Sequence, residues 1–298
     1  MGSREGLGLR EGLGRRAPGY CAGMSIRLIA TDLDGTLLAD PTTISERNRA
    51  ALDAARAMGI EVVPVTARQP RALRPIAELA GFAGWALCGN GGHGLHLTTG
   101  ERLFEAHLEA ATGQALAGAL LRTLPGAMFA SVRDGGEVFV AQDSYARSAS
   151  FADHKREPAD MVIAPLTDVL AEPSLKLIVR HAELSNDELL ARIRSLGLDG
   201  FELTHSGAPF VEVLAPGVSK AWGLQQLCNR LGIDAEEVLA FGDAPNDAEM
   251  LAWAGRGVAM ANAAPVTLAA ADEVTVSNLD DGVAQVIEAA LTADRTRC

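Results

Sequence analysis

Asp32 and Asp34 stand one residue apart in Asp32-Leu33-Asp34-Gly35-Thr36-Leu37-Leu38, directly after an apolar run at 26–31. Alternate residues of an extended chain leave on one side, so one carboxylate can act as a nucleophile while its neighbour carries protons. An Asp-rich turn, or the opening of a calcium loop, uses the same string, although the Glu that such a loop needs at its last position is missing. Thr66-Ala67-Arg68 offers a hydroxyl and backbone N–H groups leading into a helix. That is a cradle for a small anion, and also an ordinary strand-to-helix turn. Lys220 follows the candidate N-cap Ser219, at the positive end of a helix dipole where cations are mildly unfavourable. Only three of the 26 basic residues are lysines, Lys155, Lys176 and Lys220, so Arg is the default cation and a Lys here points to the need for a compact charge. The most specific string is Phe241-Gly242-Asp243-Ala244-Pro245-Asn246-Asp247. Its carboxylates suit a hard divalent cation such as Mg²⁺. Gly242 allows close backbone approach, Pro245 suits a first helical turn, and Asn246 can donate to an anion.

The elements that would hold these strings follow from the apolar pattern. From residue 26 the chain alternates strands at 26–31 and 60–66 with helices at 45–58 and 70–80. The rhythm returns after Ser219: a helix to Leu231 closed by Gly232, a strand at 238–241, a helix at 246–254 closed by Gly255, a strand at 257–260, and a last helix near 282–291. Such alternation predicts the α/β class, with a doubly wound, Rossmann-like parallel sheet assembled from 24–106 and 213–298. Ligands of such sheets sit beyond the carboxyl ends of the strands. All four strings fall at a strand's carboxyl end or a helix's start.

Between the two stretches, 107–212 changes to hairpin-like pairs, 128–133 with 137–141 across Asp134-Gly135-Gly136, and 201–205 with 210–214. A strand is expected at 175–179, and a helix at 185–196 opens on a capping box, Ser185-x-x-Glu188. The segment is therefore expected to be an inserted α+β cap domain. Residues 1–23 carry seven glycines and the string Arg-Glu-Gly-Leu-Gly at 4–8 and again at 10–14. They have no apolar face and read as a disordered leader without the h-region of a signal peptide, which makes Met24 a candidate natural start.

Composition narrows the partners. A 298-residue chain that is 48% hydrophobic can bury a large core, and no apolar stretch reaches the roughly 18 residues of a membrane-spanning helix. The net charge of −12 and pI near 5.0 argue against nucleic acid. They also mean that an anionic ligand must meet a local patch of cations, a metal or helix N-termini. Cys21, Cys88, Cys228 and Cys298 form no Cys-x-x-Cys pair, so neither a zinc site nor a disulfide framework is expected, and a reducing cytoplasm fits. His93 and His96, three apart in a strand-like segment, read as ordinary residues.

Taken in order, the four strings resemble the four motifs of the haloacid dehalogenase (HAD) superfamily. The chain is most similar to the Cof-type sugar-phosphatase branch with a type IIB cap. Further similar strings are Gly89-Asn90-Gly91-Gly92, Gly257-Val258-Ala259-Met260 with Asn262-Ala263, and Asp281-Gly282-Val283. The resemblance covers about 24–298, the cap by position and size alone. Ala67, Ala221 and Ala261 stand where the family usually has Gly, and at Ala67 a positive φ would be strained.

The resemblance implies a Mg²⁺-dependent phosphomonoester hydrolase acting on a small phosphorylated metabolite through an aspartyl phosphate. Asp32 would be the nucleophile and Asp34 the acid and base. The metal would be held by Asp32, the backbone carbonyl of Asp34 and Asp243, with Asp247 orienting its waters. The phosphoryl oxygens would meet Leu33 N–H, Thr66, Ala67 N–H, Lys220 and Asn246, and Arg68, Asn90 and Lys176 are candidates for substrate contacts under the cap. Sugar phosphates, FMN-like or pyridoxal phosphates and a riboflavin-pathway phosphate are all compatible. A phosphomutase, or a non-catalytic module that binds a phosphorylated ligand, are the alternatives; the second gains nothing from a paired nucleophile and proton donor.

Overall fold

The computed structural model of the protein describes residues 26–295; the leader expected over 1–23 lies outside them. Five parallel strands form the main sheet: β1 (Leu28–Thr31), β2 (Glu61–Pro64), β12 (Val238–Gly242), β13 (Arg256–Ala259) and β14 (Glu273–Val274), in the order β14-β13-β12-β1-β2. Three short antiparallel strands, β3 (Trp85–Cys88), β4 (His93–His96) and β5 (Arg102–Glu105), adjoin it through a parallel bridge between Val65 and Leu87. Only a strand-like stretch at 93–96 was expected here. The other two strands are four residues each and carry no clean alternation.

All four residues of β1 are buried, as a central parallel strand covered on both faces requires. Leu28 and Ala30 point to one face, where they meet Leu224 and Leu227 of the helix Lys220–Leu231 together with Met250 and Leu251. Ile29 points to the other, with Leu52 of the helix Glu46–Ala57, Leu73 and Ile76 of the helix Pro70–Ala80, and Ile287 of the helix Gly282–Arg295. Ser45 starts Glu46–Ala57 by accepting the N–H of Asn48 at 3.0 Å, and Gly81, with φ 68°, ends Pro70–Ala80. The helix expected at 246–254 is a 3₁₀ turn at Pro245–Asp247 followed by a helix at Ala248–Trp253.

The second sheet joins β6 (Met128–Arg133), β7 (Val138–Ala141), β8 (Val162–Ile163), β9 (Lys176–Arg180), β10 (Glu202–Thr204) and β11 (Val211–Leu214), in the order β10-β11-β9-β6-β7-β8. Both anticipated hairpin pairs are present, and the Ser185–Glu188 capping box starts the helix Asn186–Arg194. Leu177 and Val179 of β9, with Val211 and Val213 of β11, pack into one cluster with that helix and the helix Ala110–Thr123. By the strand's period of two, Lys176, Ile178 and Glu212 face the other way, toward the main sheet. Among the described residues no helix is long and apolar enough to cross a membrane.

Candidate active site

β1 and β12 are neighbours in the sheet, so Asp32 and Asp243 emerge side by side where the strand order reverses, the usual ligand position in such a fold. Thr36 Oγ1 donates to Asp243 Oδ1 at 2.7 Å. Lys220, buried to 1% exposure, donates from Nζ to Asp32 Oδ1 and to Asp247 Oδ1, both at 2.6 Å. Asp247 is fully buried, and its Oδ2 accepts the N–H groups of Asp243 at 3.1 Å and Ala244 at 3.0 Å. Asp247 is thus spent on the loop and on Lys220, while Asp32 Oδ2 and Asp243 Oδ2 accept no hydrogen bond among the described residues.

Carboxylate oxygens of Asp32, Asp243 and Asp247 lie within 4.8 Å of one another. Burial raises the pKa of Asp32 well above the usual range; Lys220 opposes this, while Asp247 and Asp243 add to it. Burial, with Asp247 next, pushes Asp243 up to about 6. Burial works against the charge of Lys220, but Asp247 and Asp32 outweigh it and raise its pKa. Crowded, mutually repelling oxygen donors of this kind fit Mg²⁺. Because ionised Asp243 costs stability in the fold, the metal-free protein should gain stability as pH falls from neutral through about 6, a gain complete below the ordinary value of 3.8. Asp243→Asn, which has no proton to take up, should lack this gain. Melting curves of both proteins near pH 7 and about pH 5 measure it, and the same pH response in the two would remove Asp243 as its source.

Asp34 stands on the cleft wall, where Arg68 grips it in a bidentate pair: Nε to Oδ2 and Nη2 to Oδ1, each 2.7 Å. Arg68 is itself buried and donates to the Pro41 carbonyl at 2.7 Å, and Lys155 approaches Asp34 from the second domain at 4.0 Å. Gly35 has φ +85°, and a Cβ there would run into the Asp243 carboxylate, so the Asp32–Gly35 turn can close on Asp243 only with glycine. The backbone N–H groups of Leu33 and Ala67 make no hydrogen bond among the described residues. These two N–H groups, the Thr66 hydroxyl and Lys220 are the donors the sequence offered for an anion. Ala67 does not have a positive φ, so alanine is unstrained in place of the usual glycine.

The remaining candidates meet across the cleft. Lys176 pairs with Glu212 and donates to the Ala67 carbonyl at 3.1 Å. Asn90, held at φ 59°, donates from Nδ2 to Glu212 Oε2 at 2.9 Å and accepts from Asn246 Nδ2 at 2.8 Å. The structure thereby adds Glu212, which sequence reasoning missed; a lone acid inside the apolar run Phe210–Leu214 was its only signal. It also adds His154, whose ring stacks on Phe210 at 4.7 Å and meets Phe139 edge-on, and whose Nε2 bonds the Tyr145 hydroxyl at 2.8 Å. Burial, with Lys176 next, lowers its pKa to about 3, so the imidazole is neutral. Lys176, Glu212, Asn246, His154, Phe210 and Phe139 line a cavity of about 530 Å³ that spans both domains.

Known proteins are similar to this chain over most of its length. The family described as haloacid dehalogenase-like hydrolase matches residues 29–287. A 5-amino-6-(5-phospho-D-ribitylamino)uracil phosphatase of Escherichia coli is 31% identical over 283 residues, covering 90% of this chain and 97% of the relative. The crystal structure of a haloacid dehalogenase-like hydrolase from Bacteroides thetaiotaomicron, 31% identical, superposes with a TM-score of 0.70 over 89% of this chain and 99% of its own. A subclass IIB sugar phosphatase of the same superfamily, 21% identical, shares the fold with a TM-score of 0.74 over 88% of this chain and 98% of its own.

Proposed function

The chain belongs to the haloacid dehalogenase-like hydrolases, as a phosphatase of small phosphorylated metabolites, and we propose that it works through a phosphoaspartate on Asp32 with Mg²⁺ as its ion. One observation carries this reading: a buried ammonium, Lys220, joins two carboxylates next to a third, while the N–H groups of Leu33 and Ala67 make no hydrogen bond among the described residues. Such crowding costs stability, and it makes sense where phosphate and a cation are to be bound.

Asp32 Oδ2 attacks phosphorus, forming the new P–O bond as the ester P–O bond breaks. Asp34 gives its proton to the departing alcohol oxygen and then takes one from the water that attacks the phosphoaspartate. That second displacement breaks the Asp32–phosphorus linkage, releases inorganic phosphate and restores the Asp32 carboxylate and the protonated Asp34. Leu33 N–H, Thr66, Ala67 N–H and Lys220 hold the phosphoryl oxygens. Arg68 fixes the direction of Asp34. Asp32, Asp243 and the Asp34 carbonyl would hold Mg²⁺, whose positive charge would let an anionic nucleophile and an anionic ester share one site.

The cavity suits a leaving group as large as a ribityl-pyrimidine, the substrate class named for the Escherichia coli relative. Release of phosphate from nitrophenyl phosphate should stop with EDTA and return with added Mg²⁺. Undiminished turnover in metal-free buffer would sink the metal assignment.

A further inference from the structure

Lys176, Glu212, Asn90 and Asn246 form a continuous hydrogen-bonded chain from the second sheet to the loop after β12. Its polarity is fixed at one end. An ionised carboxylate only accepts and an ammonium only donates, so Glu212, paired with Lys176, must receive the Asn90 Nδ2 hydrogens. Asn90 is then obliged to offer Oδ1, and Asn246 must answer with Nδ2. What remains is Asn246 Oδ1, a buried acceptor without a partner among the described residues, on a side chain that lines the cleft. One Nδ2 hydrogen of Asn246 is committed to Asn90 Oδ1, which leaves the second for a phosphoryl oxygen, and Oδ1 is the atom of this side chain still without a partner. An O–H group is the partner it lacks.

We infer that Glu212 is a specificity-determining, positioning residue: acting through Asn90, it turns Asn246 so that Oδ1 accepts a hydroxyl on the leaving group, which selects phosphate esters of polyols over esters without a hydroxyl. The inference rests on the phosphatase reading above. Lys176 contributes by compensating the buried charge of Glu212 and by tying it to the core at the Ala67 carbonyl. Since Glu212 and Lys176 come from the second domain and the two asparagines from the first, the acceptor is set only while the domains are in contact.

The test replaces Glu212 with the isosteric amide. Glu212→Gln carries both a donor and an acceptor, so both asparagines can turn over and present Asn246 Nδ2 to the cleft instead. The ratio of kcat/KM for ribitol phosphate to that for nitrophenyl phosphate should fall by about tenfold or more, the scale of one specific hydroxyl contact. Because Glu212→Gln leaves Lys176 buried without a counter-charge, the double variant Lys176→Met/Glu212→Gln removes the pair together. With its folding checked by thermal melting, it should show the same fall. An unchanged ratio in the two variants, or equal losses on both esters, overturns the inference. If the wild-type enzyme releases phosphate from neither ester, the phosphatase reading itself fails, and this inference fails with it.

Discussion

Asp32→Asn should abolish turnover, lowering kcat by about 10⁴ or more on every ester, because an amide cannot form the phosphoryl linkage and removing a nucleophile costs on this scale. The same variant should melt at a higher temperature than the wild type in metal-free buffer. Burial and the two neighbouring carboxylates, Asp247 and Asp243, all work against ionised Asp32, and Lys220 only partly offsets them. A neutral amide escapes that cost, while Lys220 keeps its bond to Asp247. Charge is thus held where it weakens the fold and serves the chemistry. A variant that keeps more than about a hundredth of wild-type turnover would exclude Asp32 as nucleophile. One that is inactive and less stable would show instead that the carboxylate serves the fold.

Much of this site can be read from the sequence because its parts are local. Asp32, Thr66 and Asp243 each sit within two residues of a strand's end, and Lys220 opens a helix, so a strand–helix pattern alone carries them to one edge of the sheet. The pairing of partners cannot be read so simply. Arg68 grips Asp34 across 34 residues within the first domain, and Asn90 meets Glu212 across 122, a contact that depends on how the second domain lies on the first. Glu212 shows why a strand is ambiguous. In Val211–Leu214 the acid alternates with valines, a pattern that places one face in a core and leaves the other face unassigned between solvent and cleft. Its complete burial is tertiary information. Asn246 illustrates a different limit, since an amide can donate or accept and only its neighbours decide which.

Asp34→Asn should separate the two halves of the reaction. The substitution keeps the backbone carbonyl proposed as its metal contact and leaves Arg68 one acceptor oxygen in place of two, with its bond to the Pro41 carbonyl intact, so the site should stay assembled. Only proton transfer is lost. With a polyol phosphate, whose alkoxide is a poor leaving group, phosphoryl transfer to Asp32 should slow by roughly 10² to 10⁴, the usual range for general acid catalysis. Nitrophenolate departs without that proton, so its ester should still load Asp32. Hydrolysis of the phosphoaspartate then lacks a base for the incoming water and becomes the slow step. Mixing the variant with nitrophenyl phosphate should therefore give a burst of about one nitrophenolate per enzyme, followed by slow turnover. Equal losses on both esters without a burst would show that Asp34 does not act as the acid and base, and that Arg68 and Asp34 serve the fold of the cleft wall instead.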